Sequence, residues 1–193
     1  MIGPRFIAIF FAFVLINFAF IGIINSDLKN KQYLSLFGCI FSLMIIVSVC
    51  FFPFPFQSSL IESMIEGNEG LSNNFIPFKS IVLIIKDAIA YKTYGTICYQ
   101  IFGNIILFIP LSFSLFYYLK ENNKFFKVLC CVIFTSTFVE VGQYFVNTVI
   151  EVNYRSVDID DIILNTLGGI IGFCFAYSII PMFKNLLNKI TKK

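Results

Sequence analysis

Histidine is absent from this chain, and its six cysteines include no C-x-x-C pair. The usual Cys/His metal centres are therefore excluded. Cys39, Cys50, Cys98, Cys130, Cys131 and Cys174 all fall in or beside apolar runs and read as small apolar fillers. No nucleophile elbow occurs, and no serine or cysteine stands next to an obvious base. Charge is scarce as well: Asp, Glu, Lys and Arg together make 13% of the chain, and a net charge of +3 gives no case for nucleic acid. What is abundant is hydrocarbon. Apolar residues make 58% of the 193 positions, 26 of them phenylalanine. A soluble core in so short a chain could not bury that much apolar surface, so a bilayer must take it.

The composition indicates an all-α, polytopic helical membrane protein, and the apolar runs divide it into about five transmembrane helices. Residues 6–24 form an apolar run broken by Asn17. Arg5 precedes it as in a signal peptide, but the run is longer than a signal h-region and no A-x-A-like site follows, so it reads as a span. Residues 33–52 form a second span, stopped by Pro53 and Pro55. The third, 97–119, carries Gln100, Asn104 and Pro110; the proline removes a helical hydrogen bond and should kink the helix or expose a carbonyl. The fourth and fifth cover 128–147 and 161–183. Between the second and third, the acidic stretch with Glu62, Glu66 and Glu69 reads as a solvated loop. Residues 74–92 then mix apolar residues with Lys79, Lys86, Asp87 and Lys92, which suits an interfacial amphipathic helix or a loop packed over the bundle. No internal repeat or domain boundary breaks residues 1–193, which read as a single integral membrane domain.

Polar chemistry is concentrated in residues 138–172. Because the start of the third span, the end of the fourth and the start of the fifth share one side of the membrane, Asn104, Glu140, Gln143, Asp161 and Asn165 all enter one leaflet. Glu140 and Gln143 are spaced i, i+3, and Asp161 and Asn165 i, i+4, so each pair shares a helix face. An ionisable group deep in a span costs about 2.5–3.5 kcal/mol, which makes Glu140 a functional or strictly paired residue. Arg155 is the nearby cation and suits either a carboxylate pair or a lipid headgroup. Asp161 and Asp158 also suit capping of the fifth helix, and Asn104 and Asn165 interhelical hydrogen bonding. Asp160 reads as a solvated loop charge by its spacing. Gly168-x-x-x-Gly172 offers a smooth face for close helix approach.

At these residues the chain resembles the VanZ-like family. Residues 74–80 (NFIPFKS) resemble its N-x-I-P-F block and 103–111 (GNIILFIPL) its G-N-x-x-x-F-x-P-L/G block. Glu140-x-x-Gln143 followed by Arg155-x-x-Asp158-x-x-Asp161-x-x-x-Asn165-x-x-Gly168 resembles its closing signature. The matched positions are Asn74, Pro77, Phe78, Asn104, Pro110, Glu140, Gln143, Arg155, Asp158, Asp161 and Asn165; Ser112 departs from the glycine often found there. The resemblance implies a bacterial cell-envelope protein in a family whose named member lowers susceptibility to teicoplanin-type glycopeptides. It supplies no mechanism.

Three functions compete. In the first, Asn104, Glu140, Gln143, Arg155, Asp158, Asp161 and Asn165 line a polar pocket for a lipid-linked or amphiphilic ligand, such as a cell-wall precursor or a glycopeptide tail, with no cofactor. In the second, Glu140, Asp158 and Asp161 are catalytic on a polyprenyl phosphate or acyl substrate, and only this reading calls for Mg²⁺. The third is proton-coupled transport through Glu140, which the lack of an internal repeat disfavours. Membrane lipids are the common partner. With five spans, a cytoplasmic C-terminus puts nine Lys/Arg inside against five outside, so the expected orientation is N-terminus out, with the polar pocket in the outer leaflet. An Asn153→Cys variant should then react with a membrane-impermeant thiol reagent in intact cells, and an unlabelled protein would overturn that orientation.

Overall fold

The computed structural model describes residues 28–67, 70–119 and 123–191. Six helical elements follow in order: α1 (Leu28–Phe51), α2 (Ser58–Glu66), α3 (Lys79–Tyr91), α4 (Tyr94–Tyr118), α5 (Lys124–Ile150) and α6 (Ile159–Thr191). Four of them are long and apolar enough to cross a membrane: Gln32–Phe51, Tyr94–Tyr118, Lys124–Ile150 and Ile159–Ser178. The chain is a polytopic helical membrane protein. The expected span at 6–24 lies outside the described residues.

α5 makes the inside-out logic of the bundle visible. Its buried stripe runs Val128, Val132, Ser136, Val139, Glu140, Gln143, Asn147, apolar at one end and polar at the other. The opposite stripe, Phe134, Phe138, Val141, Phe145 and Val149, is exposed. Large apolar side chains face outward and polar ones inward, as a lipid solvent requires. The apolar half of the core gathers Ile46 of α1, Leu107, Phe108 and Leu111 of α4 and the α5 valines.

α4 and α6 form the most extensive helix pair. Their approach depends on missing side chains. A Cβ on Gly168 would overlap the Ile105 carbonyl oxygen, and one on Gly172 would stand 2.5 Å from the Ile109 carbonyl oxygen. Gly169 turns to α5 instead, where a Cβ would lie 2.7 Å from Val132 Cγ1. Ser112 Oγ donates to the Gly169 carbonyl at 2.5 Å, bonding α4 to α6 where an ordinary side chain would separate them. Pro110 is buried within α4. Five residues of the same helix, Cys98–Phe102, form a π-helical turn between Tyr94–Ile97 and Gly103–Tyr118.

Two expectations are corrected here. The acidic stretch after Pro55 is not a loop: Ser58–Glu66 is helical, with Leu60, Ile61, Met64 and Ile65 recurring at helical spacing. The third and fourth spans also begin earlier than their apolar runs suggest, at Tyr94 and Lys124, because helix persists through flanking polar residues where it is hydrogen-bonded but not lipid-embedded. The segment expected to be interfacial does form a helix, α3. Its inner face is Ser80, Ile81, Ile84 and Ala88, while Val82, Leu83, Ile85 and Ile89 are exposed. Substituting Gly168→Ala should destabilise the protein by about 1–3 kcal/mol in detergent-solubilised thermal unfolding, through forced separation of α4 and α6. Gly95→Ala, where an added Cβ meets nothing within 4 Å, should leave the transition unshifted.

Candidate functional site

Helix ends leave N–H and C=O groups without intrahelical partners, and here side chains from other elements supply several of them. The centre of this arrangement is the short bridge Asn74↔Asp158, the isolated β-bridge among the described residues. The Asn74 N–H donates to the Val157 carbonyl at 2.9 Å, and the Ile159 N–H donates to the Asn74 carbonyl at 3.0 Å. Asn74 Nδ2 also donates to Asp158 Oδ1 at 2.8 Å, and the same oxygen accepts the Asp160 N–H at 2.8 Å. Asp158 is thus the cap of α6, the role for which Asp161 was the other candidate.

Glu140 reaches this knot from α5. Its Oε2 accepts the Asp158 N–H at 2.9 Å, and the side chain is only 5% exposed. The carboxylate therefore holds a backbone donor of the loop before α6, a strictly paired role. Asp161 lies one turn on and accepts a 2.5 Å bond from Asn104 Nδ2, tying α6 to α4. Asn165, deeper on α6, donates to Ser136 Oγ at 2.9 Å and so belongs to the α5 contact.

Asp160 corrects the expectation of a solvated charge, since it is 1% exposed. Its Oδ1 accepts the Phe78 N–H at 2.5 Å and its Oδ2 the Ile81 N–H at 3.1 Å. Phe78 precedes α3 with φ 64° and offers no capping side chain of its own. A carboxylate from the far end of the sequence therefore caps α3, where the helix dipole also favours a negative charge.

Arg155 is the other correction. It makes no ion pair with a carboxylate among the described residues; its Nη2 donates to the Phe52 carbonyl at 2.5 Å. Tyr154 Oη donates to the Phe51 carbonyl at 3.5 Å and Gln143 Nε2 to the Cys50 carbonyl at 2.9 Å. Three side chains thus satisfy the last carbonyls of α1, and the cation complements the negative end of that helix. Burial pushes the Tyr154 phenol up, against the pull of the Arg155 guanidinium beside it.

Between these helix ends and α3 lies a cavity of about 550 Å³. Asn104, Gln143, Arg155, Asp158 and Asp161 all line it, with Lys79 and Asp87 of α3 on the facing side. Glu140 and Asn165 do not. Glu140 lines a second, apolar cavity of about 390 Å³ with Phe75, Val141, Tyr144 and Ile162, and Asp158 stands between the two. Five of the seven residues predicted from the sequence are therefore brought to one cavity. Asn73, Tyr99 and Ser156 also line it and were missed; exposed or loop polar residues carry no signal in a single sequence.

The VanZ/LLP1 family model matches residues 37–182, most of the described bundle. The chain belongs to the VanZ/LLP1 family. No curated protein and no solved structure matches it. Membership links this VanZ-like membrane protein to glycopeptide resistance at the level of the family. The blocks that carry the likeness are also those that meet in space: Asn74 with Asp158, Phe78 with Asp160 and Asn104 with Asp161.

The four carboxylates do not converge on one point. Each is engaged by a different donor, and no group of three acidic or sulfur ligands among the described residues could hold a metal ion. Asp160→Ala should leave the Phe78 and Ile81 N–H groups unpaired, at a cost of about 1–3 kcal/mol. Hydrogen exchange should then accelerate across residues 79–91 while the α4–α6 contact stays protected; unchanged exchange in α3 would refute the capping role.

Proposed function

We propose that this protein binds the polar head of a lipid-linked or lipid-tailed amphiphile in the cavity between α1, α3, α4, α5 and α6. The head meets Asn104, Gln143, Arg155, Asp158 and Asp161 while the tail stays in the bilayer. The observation that carries the reading is the shared cavity of about 550 Å³ into which these five side chains project. Its volume lies within the usual range for small-molecule sites, and its position at the ends of the spanning helices suits a ligand that is half lipid. On the orientation with the N-terminus outside, the cavity opens toward the outer leaflet of a bacterial cell membrane. There it is in reach of lipid-linked cell-wall precursors and of the tails of teicoplanin-type glycopeptides. Sequestering or displacing either would connect the cavity to resistance without any covalent step.

The enzyme alternative asks a carboxylate to move protons. The hydrogen bonds favour the binding reading, because Glu140, Asp158 and Asp161, the carboxylates the enzyme reading calls on, all accept from backbone or amide donors. Glu140→Gln separates the two. Glutamine keeps an acceptor oxygen for the Asp158 N–H, so a binding protein should retain near-wild-type affinity, whereas an acid–base catalyst would lose turnover by roughly 100-fold or more. Asn104→Ala should weaken binding about tenfold in a titration with lipid-linked precursor or teicoplanin-type glycopeptide. Wild-type protein that binds neither saturably would end the proposal.

A further inference from the structure

The cavity's hydrogen-bonding inventory is unbalanced in a way that selects among head groups. On the Asn104–Asp161 pair, Asn104 Nδ2 and Asp161 Oδ1 are joined, which leaves Asn104 Oδ1 and Asp161 Oδ2 outside the bond. Gln143 gives its Nε2 to Cys50, and its Oε1 has no partner although the side chain is only 6% exposed. Asp158 spends Oδ1 on Asn74 and Asp160 and has Oδ2 beyond those bonds. Asn104 Nδ2 keeps a second N–H, so the wall between α4, α5 and α6 offers more acceptors than donors.

The charges point the same way. The carboxylates Asp87, Asp158 and Asp161 outnumber the cations Lys79 and Arg155 along the lining, and Arg155 already donates to the Phe52 carbonyl. A phosphate brings only acceptors and negative charge, so it would face three carboxylates and a row of amide oxygens. An ammonium group would suit the acceptors but would meet Lys79 and Arg155, and it cannot accept from the donors that remain. Those donors are real: Asn73 uses only its Oδ1, on the Val157 N–H, and Gln100 is exposed at the rim. A group that both donates and accepts fits the whole lining, and a hydroxyl is that group. Tyr99, also in the lining and 57% exposed, supplies an aromatic surface for the apolar face of a ring.

We infer that the head group taken by this cavity is a neutral polyhydroxylated one, a sugar or polyol carried on a lipid tail, rather than a bare phosphate or an ammonium. The inference rests on the amphiphile-binding reading above and specifies its ligand class. Asp161 Oδ2 and Asn104 Oδ1 accept from ligand hydroxyls, while Asn73 and Gln100 donate to them.

The test uses the full chain in phosphatidylcholine nanodiscs, free of glycoside detergent. Three photoreactive lipids share one tail, with a diazirine next to the head, and differ only in that head: glucosyl, phosphate or primary ammonium. The glucosyl lipid should label peptides covering residues 99–104 and 155–161, should be competed by its unlabelled counterpart, and should exceed the other two at least about fivefold. Asn104→Ala should reduce the competable labelling about tenfold. Gln100→Ala, at an exposed position where folding is not at stake, should reduce it about threefold. Stronger competable labelling by the phosphate or ammonium lipid would overturn the head-group assignment and leave the cavity's binding role standing. No competable labelling by any of the three would overturn both.

Discussion

Several helix ends among the described residues find their hydrogen-bond partners on other elements of the chain. Asp160 takes the first N–H groups of α3, and Glu140 takes the N–H at the head of α6. Gln143, Tyr154 and Arg155 take the last carbonyls of α1. In water each of these groups would be solvated and the partner dispensable. Near hydrocarbon an orphan N–H or C=O costs several kcal/mol, so these cross-helix bonds decide which ends lie together. The bundle's polar pole is a set of reciprocal caps, and the cavity is the space they enclose.

Much of this pole could be read from the sequence, and the reason is topological. Alternation of spans places the ends of the fourth and the start of the third and fifth on one side, so Asn104, Glu140 and Asp161 had to enter one leaflet. The Asn104–Asp161 bond realises that deduction, and the Glu140–Asp158 bond comes close to it. The glycine spacing at 168 and 172 was also legible, because a small-residue face has one common use in a membrane. What could not be read is any bond with a backbone partner. Phe78 and Phe52 look apolar in a sequence, yet their N–H and C=O groups decide where Asp160 and Arg155 go. Asp160 lies 82 positions from Phe78, and nothing in either residue's identity announces the pairing. Of the two partners open to Arg155, a carboxylate or a lipid headgroup, the carboxylate is not found among the described residues, for the same reason. α2 was hidden differently, since Glu62 and Glu66 raise its polarity while Leu60, Ile61, Met64 and Ile65 keep the helical period.

The same accounting changes what the ionisable residues mean. A carboxylate in a span is commonly a functional marker, and Glu140 is the deepest here on α5. Its oxygen is nonetheless given to the N–H of Asp158, and it faces the apolar cavity while the polar one lies beyond Asp158. Glu140 is a positioning residue: it fixes the loop that carries Arg155 and Asp158 into the larger cavity. The groups with spare hydrogen-bonding capacity, Asn104, Asp161 and Gln143, sit on three different helices. A site assembled this way keeps its geometry as long as the helix pairs hold, and those pairs are set by the glycine contacts rather than by the polar groups.

The π-helical turn at Cys98–Phe102 bears on that separation. Accommodating one residue more than an α-helical turn rotates everything before it by about 100° relative to an uninterrupted helix. Tyr94–Ile97 and Gly103–Tyr118 therefore share an axis but not a phase. Tyr99 and Gln100, which line the cavity, lie inside that turn, whereas Ile105 and Ile109, seated against Gly168 and Gly172, lie beyond it. The rim of the cavity and the seam beneath it are thus set by different turns of one helix.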